Sequence, residues 1–165
     1  MIYIDDASKK DVTEIRKLAE KTWWPTYSPF LSTEQIQYML DTIYDEASIS
    51  RTMEEDEQHY ILLRENNIAQ GFASYGVWKE HSNKWKIAKL YVLPESHGRG
   101  LGRKLLEEII ERARNAGMEA VILNVNRYNP AFTFYKKIGF TVLREEDIPI
   151  GPYWMNDYVL QLKIK

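Results

Sequence analysis

The sequence predicts an α/β (α+β) protein with a mixed central sheet of about six to seven strands and about four flanking helices. Two β-forming runs, 60–64 and 68–75, are separated only by Glu65-Asn66-Asn67. Because paired asparagines tolerate the positive φ angles of a tight turn, these runs predict a hairpin. Residues 120–125 form a continuous apolar run, which is typical of a buried parallel strand. Apolar residues at helical spacing predict the clearest helix: Leu101, Leu105, Ile109, Ile110 and Ala113.

The segment before the hairpin should contain a short strand and two amphipathic helices. Residues 2–4 favour a strand that breaks at Asp5-Asp6. The first helix should run to about Trp23, where Pro25 stops it. Two pairs at capping-box spacing mark the helix starts: Ser8 with Asp11, and Ser32 with Gln35.

The segment after the hairpin should alternate strands and helices. The expected order is a strand over 85–93, a helix ended by Gly117, the buried strand, a helix from Asn129-Pro130 to Ile138, and strands at 140–143 and 158–164 around a loop at 148–152. No repeat and no linker interrupts this pattern, so we expect one domain over residues 1–165.

Composition and charge narrow the range of functions. The formal net charge of −2 gives no bulk attraction to nucleic acid. No apolar run approaches the roughly 20 residues that span a bilayer, so no membrane partner is expected. The first residues lack the basic start and long apolar run of a signal peptide, and we expect a cytoplasmic protein. Without cysteine there is no disulfide, thiol nucleophile or cysteine–zinc site, and no metal site is predicted.

A glycine-rich turn between a strand and a helix is the strongest functional signal. Gly98, Gly100 and Gly102 remove side chains from the turn, so backbone N–H groups can converge on one point. With the positive end of the helix dipole, this geometry predicts phosphate binding. No Gly-Lys-Ser/Thr follows, which excludes a Walker loop. The stretch does not fit a dinucleotide fingerprint either, because its glycines alternate and the following strand ends in Asn124-Val125 instead of an acidic residue.

The stretch 90–106 resembles the acetyl-CoA motif of the GNAT superfamily of N-acetyltransferases. Its usual form, Gln/Arg-x-x-Gly-x-Gly/Ala, is matched at residues 97–102, with His97 in the first position. The second hallmark, Asn-x-x-Ala-x-x-Phe-Tyr-x-x-x-Gly-Phe, is matched at residues 129–140, with Asn129 one residue closer to Ala131 than in the pattern. The resemblance covers essentially the whole chain. The N-terminal part is also weakly similar to the polyamine-acetyltransferase branch.

The resemblance implies that acetyl-CoA is the co-substrate. In this family the pyrophosphate lies on the N–H groups of the glycine loop, and pantetheine pairs with a strand that splays from its parallel neighbour to form the acyl-CoA cleft. The residues that this assigns to the cofactor are Leu90, Tyr91, Val92, His97, Gly98, Arg99, Gly100, Leu101, Gly102, Arg103, Asn129, Phe132 and Tyr135.

The resemblance also assigns a catalytic role to Tyr135, which would protonate the departing thiolate. A phenol with a pKa of about 10 can give a proton to a thiolate as it forms. The alternatives are that Tyr135 packs beside Phe134, and that Asn129 caps a helix instead of contacting the cofactor. The general base that would deprotonate the acceptor amine stays unassigned. His59, Tyr75, Glu80 and His81 are within reach in principle, but exposure in a loop or packing is the favoured explanation of each.

The acceptor is expected to be a primary amine of a small, polyamine-like molecule or of a peptide, attacking directly in a ternary complex. Aromatic side chains would form its pocket: Trp23, Trp24, Tyr27, Tyr75 and Tyr153. Two alternatives keep the fold, namely transfer from a longer acyl-CoA and a catalytically silent acyl-CoA-binding sensor. A homodimer is expected only by analogy with the family.

Overall fold

The computed structural model describes residues 1–165 and contains seven strands and five α-helices. The strands are β1 (Ile2–Asp6), β2 (His59–Glu65), β3 (Ile68–Val77), β4 (Lys84–Val92), β5 (Ala120–Asn126), β6 (Thr141–Ile150) and β7 (Tyr153–Lys163). The helices are α1 (Val12–Tyr27), α2 (Thr33–Thr42), α3 (Glu46–Glu54), α4 (Leu101–Asn115) and α5 (Ala131–Ile138). The strands form one mixed sheet in the order β1-β2-β3-β4-β5-β7-β6, which confirms the predicted α/β class. None of the helices is both long and apolar enough to cross a membrane.

The first of two compact units comprises Met1–Gly76 and Ala88–Ile109. In this unit β2 pairs antiparallel with both β1 and β3. The predicted hairpin between β2 and β3 is confirmed, since Asn66 and Asn67 have φ angles of 51° and 69°. The predicted cap of α2 is also present, because the backbone N–H of Gln35 donates to the Ser32 hydroxyl at 3.1 Å.

The second unit comprises Val77–Ile87 and Ile110–Lys165. Here the first half of β4 pairs parallel with β5, and β7 pairs antiparallel with both β5 and β6. Trp78, Ile122 and Val159 form a small buried apolar cluster in this unit.

The pairing of β4 with β5 stops before either strand ends. It joins Lys84–Ile87 to Ala120–Leu123 in register, whereas β4 continues to Val92 and β5 to Asn126. Antiparallel pairing with β7 continues along all of β5. The predicted parallel strand pair is therefore present, and its pairing ends after Ile87.

Three predicted boundaries are wrong. Helix α1 contains Pro25 and ends at Tyr27. A proline this close to the end of a helix removes only one backbone N–H donor, and the last turn still forms, since the Ser28 N–H donates to the Trp24 carbonyl at 3.0 Å. Strand β1 continues through Asp5-Asp6, where pairing with β2 outweighs low strand propensity. The predicted loop at 148–152 is mostly strand, since β6 and β7 form a hairpin that turns at Gly151-Pro152.

Candidate functional site

The glycine loop, residues 93–100, lies between β4 and α4 in the first unit. Gly98 and Gly100 have φ angles of +79° and +74°, which only glycine adopts at little cost. A Cβ added at either glycine would meet no atom within 4 Å, so the space beside both is open. Helix α4 begins directly afterwards, at Leu101, with its first N–H groups lacking partners within the helix. Loop and helix start together suit an anionic group such as a phosphate.

Hydrogen bonds hold the glycine loop to the neighbouring strands. The His97 Nε2–H donates to the Val92 carbonyl at 2.8 Å, which ties the loop to the end of β4. The Ser96 hydroxyl donates to the Gln70 amide oxygen at 2.6 Å, and the Leu93 N–H donates to the Gln70 carbonyl at 2.8 Å. The His97 imidazole, which the sequence placed with the cofactor, thus supports the loop. Gln70 was missed, because its link to the loop spans 26 residues of sequence.

The two arginines of the loop region are paired with glutamates. Arg99 makes two hydrogen bonds to Glu65, of 2.9 and 2.5 Å, and Arg103 makes one to Glu107 of 2.7 Å. The bond from Arg99 lowers the pKa of the Glu65 carboxyl. Because both guanidinium groups are already paired, the capacity to bind an anion lies mainly in the backbone N–H groups.

Two glycine-to-alanine substitutions, one in the loop and one in α4, should have opposite effects on the free energy of unfolding. Gly100→Ala should lower the free energy of unfolding by about 1 kcal/mol, because alanine is strained at positive φ. Gly102→Ala should raise it by up to about 1 kcal/mol. Gly102 lies within α4, where the added Cβ would be 3.9 Å from side-chain atoms of Leu90 and Val92. Urea denaturation of the two variants measures the contrast, and equal effects of the same sign would contradict it.

An aromatic cluster in the first unit contains two of the five predicted acceptor residues. We define it as Trp23, Tyr27, Tyr44, Phe72 and Tyr91. The Trp23 and Tyr27 rings are 4.1 Å apart, and the hydroxyls of Tyr27 and Tyr91 are 2.9 Å apart. Burial raises the pKa of Tyr91, so its hydroxyl stays protonated. The Trp23 Nε1–H is buried without a partner. Tyr91, predicted as a cofactor residue, thus directs its ring into this cluster.

The other predicted acceptor residues lie outside the aromatic cluster. Tyr75, on β3, has its ring 5.3 Å from that of His59. Trp24 is half-buried on α1, and Tyr153 is the first residue of β7 in the second unit. The sequence missed Tyr44 and Phe72, because a pattern of single residues does not show which distant aromatics meet.

A buried lysine was also missed. Lys89 is 5% exposed, and its Nζ donates to the Gln58 side-chain oxygen at 2.7 Å and to the Tyr60 hydroxyl at 3.1 Å. Burial, with a smaller contribution from Arg51, lowers the pKa of Lys89 to about 7. The sequence signal that could have found Lys89 is the alternation of inward and outward side chains along a strand. Lys89 occupies an inward position of β4, two residues from buried Ile87.

In the second unit, α5 carries the second sequence motif. The Asn129 Oδ1 accepts a hydrogen bond from the Ala131 N–H at 2.9 Å, so Asn129 satisfies the first N–H of the helix from the residue before its N-cap, Pro130. Phe132 stacks on Tyr158 with ring centres 4.6 Å apart. Tyr135 is 7% exposed and makes edge contacts with Phe134 and Phe140 at 5.2 and 5.7 Å. Its packing is thus observed, and its catalytic role stays a prediction.

Two of the candidate general bases have charged side chains as hydrogen-bond partners. Glu80 accepts hydrogen bonds of 2.5 and 3.2 Å from Arg144, which lower its pKa and disfavour proton uptake. His59 is 2.9 Å from Asp6 at the edge of the first unit. Neither arrangement identifies a base.

Comparisons with known proteins agree on one family. The model of the acetyltransferase (GNAT) family matches residues 13–140. An uncharacterized N-acetyltransferase of Mycobacterium tuberculosis is 26% identical over 151 residues, covering 91% of this chain and 96% of the relative. The L-methionine sulfoximine/L-methionine sulfone acetyltransferase of Salmonella typhimurium is 33% identical over 110 residues, covering 63% of this chain and 64% of the relative.

A solved structure shows the same fold. The PaiA N-acetyltransferase of Thermoplasma acidophilum, in complex with coenzyme A, superposes with a TM-score of 0.84 at 24% identity, covering 99% of both chains. The family match spans most of the sequence, including the glycine loop and all of α5. The chain therefore belongs to the GNAT family and is an N-acetyltransferase.

Proposed function

We propose that this enzyme transfers the acetyl group of acetyl-CoA to a primary amine of a small molecule or of a peptide, by direct attack in a ternary complex. Acetyl-CoA is the co-substrate of the family, and its thioester supplies an activated acetyl group. The observation that carries the proposal is the glycine loop, with open space at Gly98 and Gly100 beside the start of α4.

Different backbone segments of the chain would bind different parts of CoA. Backbone N–H groups from Gly98 to Arg103 would hold the pyrophosphate, which needs no free basic side chain. The backbone of Leu90–Val92, beyond the end of the β4–β5 pairing, would bind the pantetheine amides as an added strand does. Leu101, Asn129 and Phe132 stay predicted cofactor contacts, and Tyr135 the predicted proton donor to the thiolate.

The choice of a small amine is supported by relatives and by the aromatic cluster. The Salmonella relative is named for L-methionine sulfoximine and L-methionine sulfone, which carry a primary amine. Aromatic rings and protonated tyrosine hydroxyls suit a cationic amine and its polar substituents. Amino acids therefore join polyamines and peptide termini among the acceptors to test. Cytoplasmic location and homodimer formation stay predictions from the sequence.

A thiol-release assay tests the proposal. Purified enzyme is incubated with acetyl-CoA and, separately, L-methionine sulfone, spermidine and a short peptide with a free N-terminus. We expect thiol release with at least one amine and a product heavier by one acetyl group. Parallel reactions with a longer acyl-CoA test the alternative donor. Tight CoA binding without thiol release from any acceptor would support the silent sensor instead.

A further inference from the structure

A buried carboxylate with one unpartnered oxygen lies on β7 in the second unit. Asp157 is 6% exposed, and its Oδ2 accepts a hydrogen bond from the Asn124 Nδ2 at 3.2 Å. Its Oδ1 is buried and has no hydrogen-bond partner. Nothing in the sequence motifs draws attention to Asp157, and it has no part in the proposed CoA site.

Strand geometry explains how this pair forms. Asn126 lies opposite Asp157 where β5 pairs with β7, and Asn124 lies opposite Val159. Side chains two residues apart share a face, so Asn124 and Asp157 are diagonal neighbours on one face of the sheet. Asn124 belongs to the last three residues of β5, after its pairing with β4 has stopped. The pair therefore lies on the part of β5 that does not pair with β4.

A buried carboxylate oxygen without a donor is costly, because it has lost water and gained no hydrogen bond in return. Burial accordingly raises the pKa of Asp157. The charged groups that act on it come from three sides: Lys86 on β4 and Arg127 after β5 favour its ionised form, and Glu146 on β6 opposes it. Lys86 is itself half-buried, and burial lowers its pKa, so it is a weakened counter-ion. The Oδ1 atom of Asp157 thus lacks a hydrogen-bond donor.

We propose that Asp157, oriented by Asn124, binds the amino group of the acceptor and takes its proton. The inference rests on the proposed function, because it assigns the general base of that reaction. An ammonium group supplies the donor that Oδ1 lacks. A carboxylate with a raised pKa is also a better proton acceptor than an exposed one. Asn124 is a positioning residue, since it acts through its hydrogen bond to Oδ2.

The protons and bonds of the reaction balance as follows. Asp157 takes one proton from the ammonium and passes it to solvent, which leaves a nitrogen lone pair free to attack. The nitrogen forms a bond to the acetyl carbonyl carbon as the carbon–sulfur bond breaks. The nitrogen then loses a second proton to Asp157, which passes it to solvent as well. The thiolate gains a proton from Tyr135, and Tyr135 takes one back from solvent. One acetylated amine, one thiol and one released proton result.

The test compares Asp157→Asn with the wild type, using spermidine and L-methionine sulfone as acceptors. We expect the variant to lose about 100-fold in kcat/KM, as is typical when a general base is removed. The wild-type kcat/KM should fall at acid pH as Asp157 becomes protonated, and this acid limb should be absent in the variant. Asp157→Glu should recover part of the activity. Glu119→Gln, which removes an exposed carboxylate next to the start of β5, is the matched control and should keep both activity and pH profile.

A second measurement does not depend on activity. In protein labelled with carbon-13 at aspartate carboxyls, the resonance that Asp157→Asn removes should titrate above the usual aspartate range. It should also shift when spermidine is added to the CoA complex. If Asp157→Asn does not fold, Asn124→Ala should still lower kcat/KM about 10-fold, and loss of the hydrogen bond that lowers the pKa of this carboxyl should raise that pKa further.

The outcomes separate this inference from the function on which it rests. A wild-type enzyme that acetylates no amine contradicts the proposed function. If the wild type is active and the Asp157→Asn variant is fully active with an unchanged pH profile, the inference is overturned and the proposed function stands. A bound water that serves as the hydrogen-bond partner of Oδ1 would also overturn the inference.

Discussion

Replacing Tyr135 by phenylalanine is expected to lower kcat about 100-fold, the lower end of what a positioned proton donor contributes. The substitution removes only the hydroxyl. The edge contacts of the ring with Phe134 and Phe140 can persist, so the packing of α5 should change little. Without the phenol, the thiolate must leave unprotonated or take its proton from solvent. The measurement is thiol release at saturating acetyl-CoA and acceptor.

The control for Tyr135→Phe is the affinity for CoA, measured by calorimetry. If Tyr135 is a proton donor, kcat should fall while the CoA dissociation constant changes less than about threefold. An equal loss of CoA affinity and kcat would make Tyr135 a packing residue. Phe134→Leu is a matched variant, because it disturbs the same ring contact without touching the phenol, and we expect it to lower stability more than kcat.

The parts of the fold that the sequence predicted are those determined by neighbouring residues. Asn66 and Asn67 make the tight turn by themselves, and the apolar face of α4 is visible in its own 15 residues. Strand β6 was predicted too short, because most of its side chains are exposed and its sequence lacks apolar alternation. Its extent depends on pairing with β7, which a local pattern does not contain.

In the candidate functional site, too, local features could be predicted from the sequence and contacts between distant residues could not. The glycine loop is a local motif, and Gly98 and Gly100 have positive φ angles that glycine adopts at little cost. The contacts that support the loop or adjust pKa values join distant residues: Gln70 with Ser96, Gln58 with Lys89, and Asn124 with Asp157. A polar residue at an inward strand position was the one signal available for Lys89 and Asp157. That signal marks burial but does not identify the partner.

Lys89 should make stability rise with pH above neutrality. Its pKa is about 7 in the folded protein and about 10.5 when unfolded, so the unfolded chain binds more protons between these values. The unfolding free energy therefore increases as pH rises through this window, and the stabilisation is lost as pH falls through 7. Between pH 7 and pH 9 we expect an increase of about 2 kcal/mol from this residue.

Lys89→Met isolates that contribution. Methionine has a similar length and no charge, so the variant should be more stable than the wild type at pH 7 by about 2 kcal/mol, after allowing for two lost hydrogen bonds. Both former partners keep another hydrogen bond, because Gln58 accepts from Ser74 and Tyr60 bonds to Thr52. The rise in stability with pH should also flatten in the variant.

Urea denaturation at pH 7, 8 and 9 measures both effects, and the difference between variant and wild type removes the contributions that they share. One such contribution is that of Lys86, whose pKa burial also lowers. Lys17→Met, on the exposed side of α1, is the matched control and should leave the slope unchanged. If Lys89→Met is less stable than the wild type at pH 7 and keeps its pH slope, then Lys89 is charged in the folded protein. In that case the hydrogen bonds to Gln58 and Tyr60 and the two tyrosine rings, each 5.3 Å from Nζ, stabilise its ammonium.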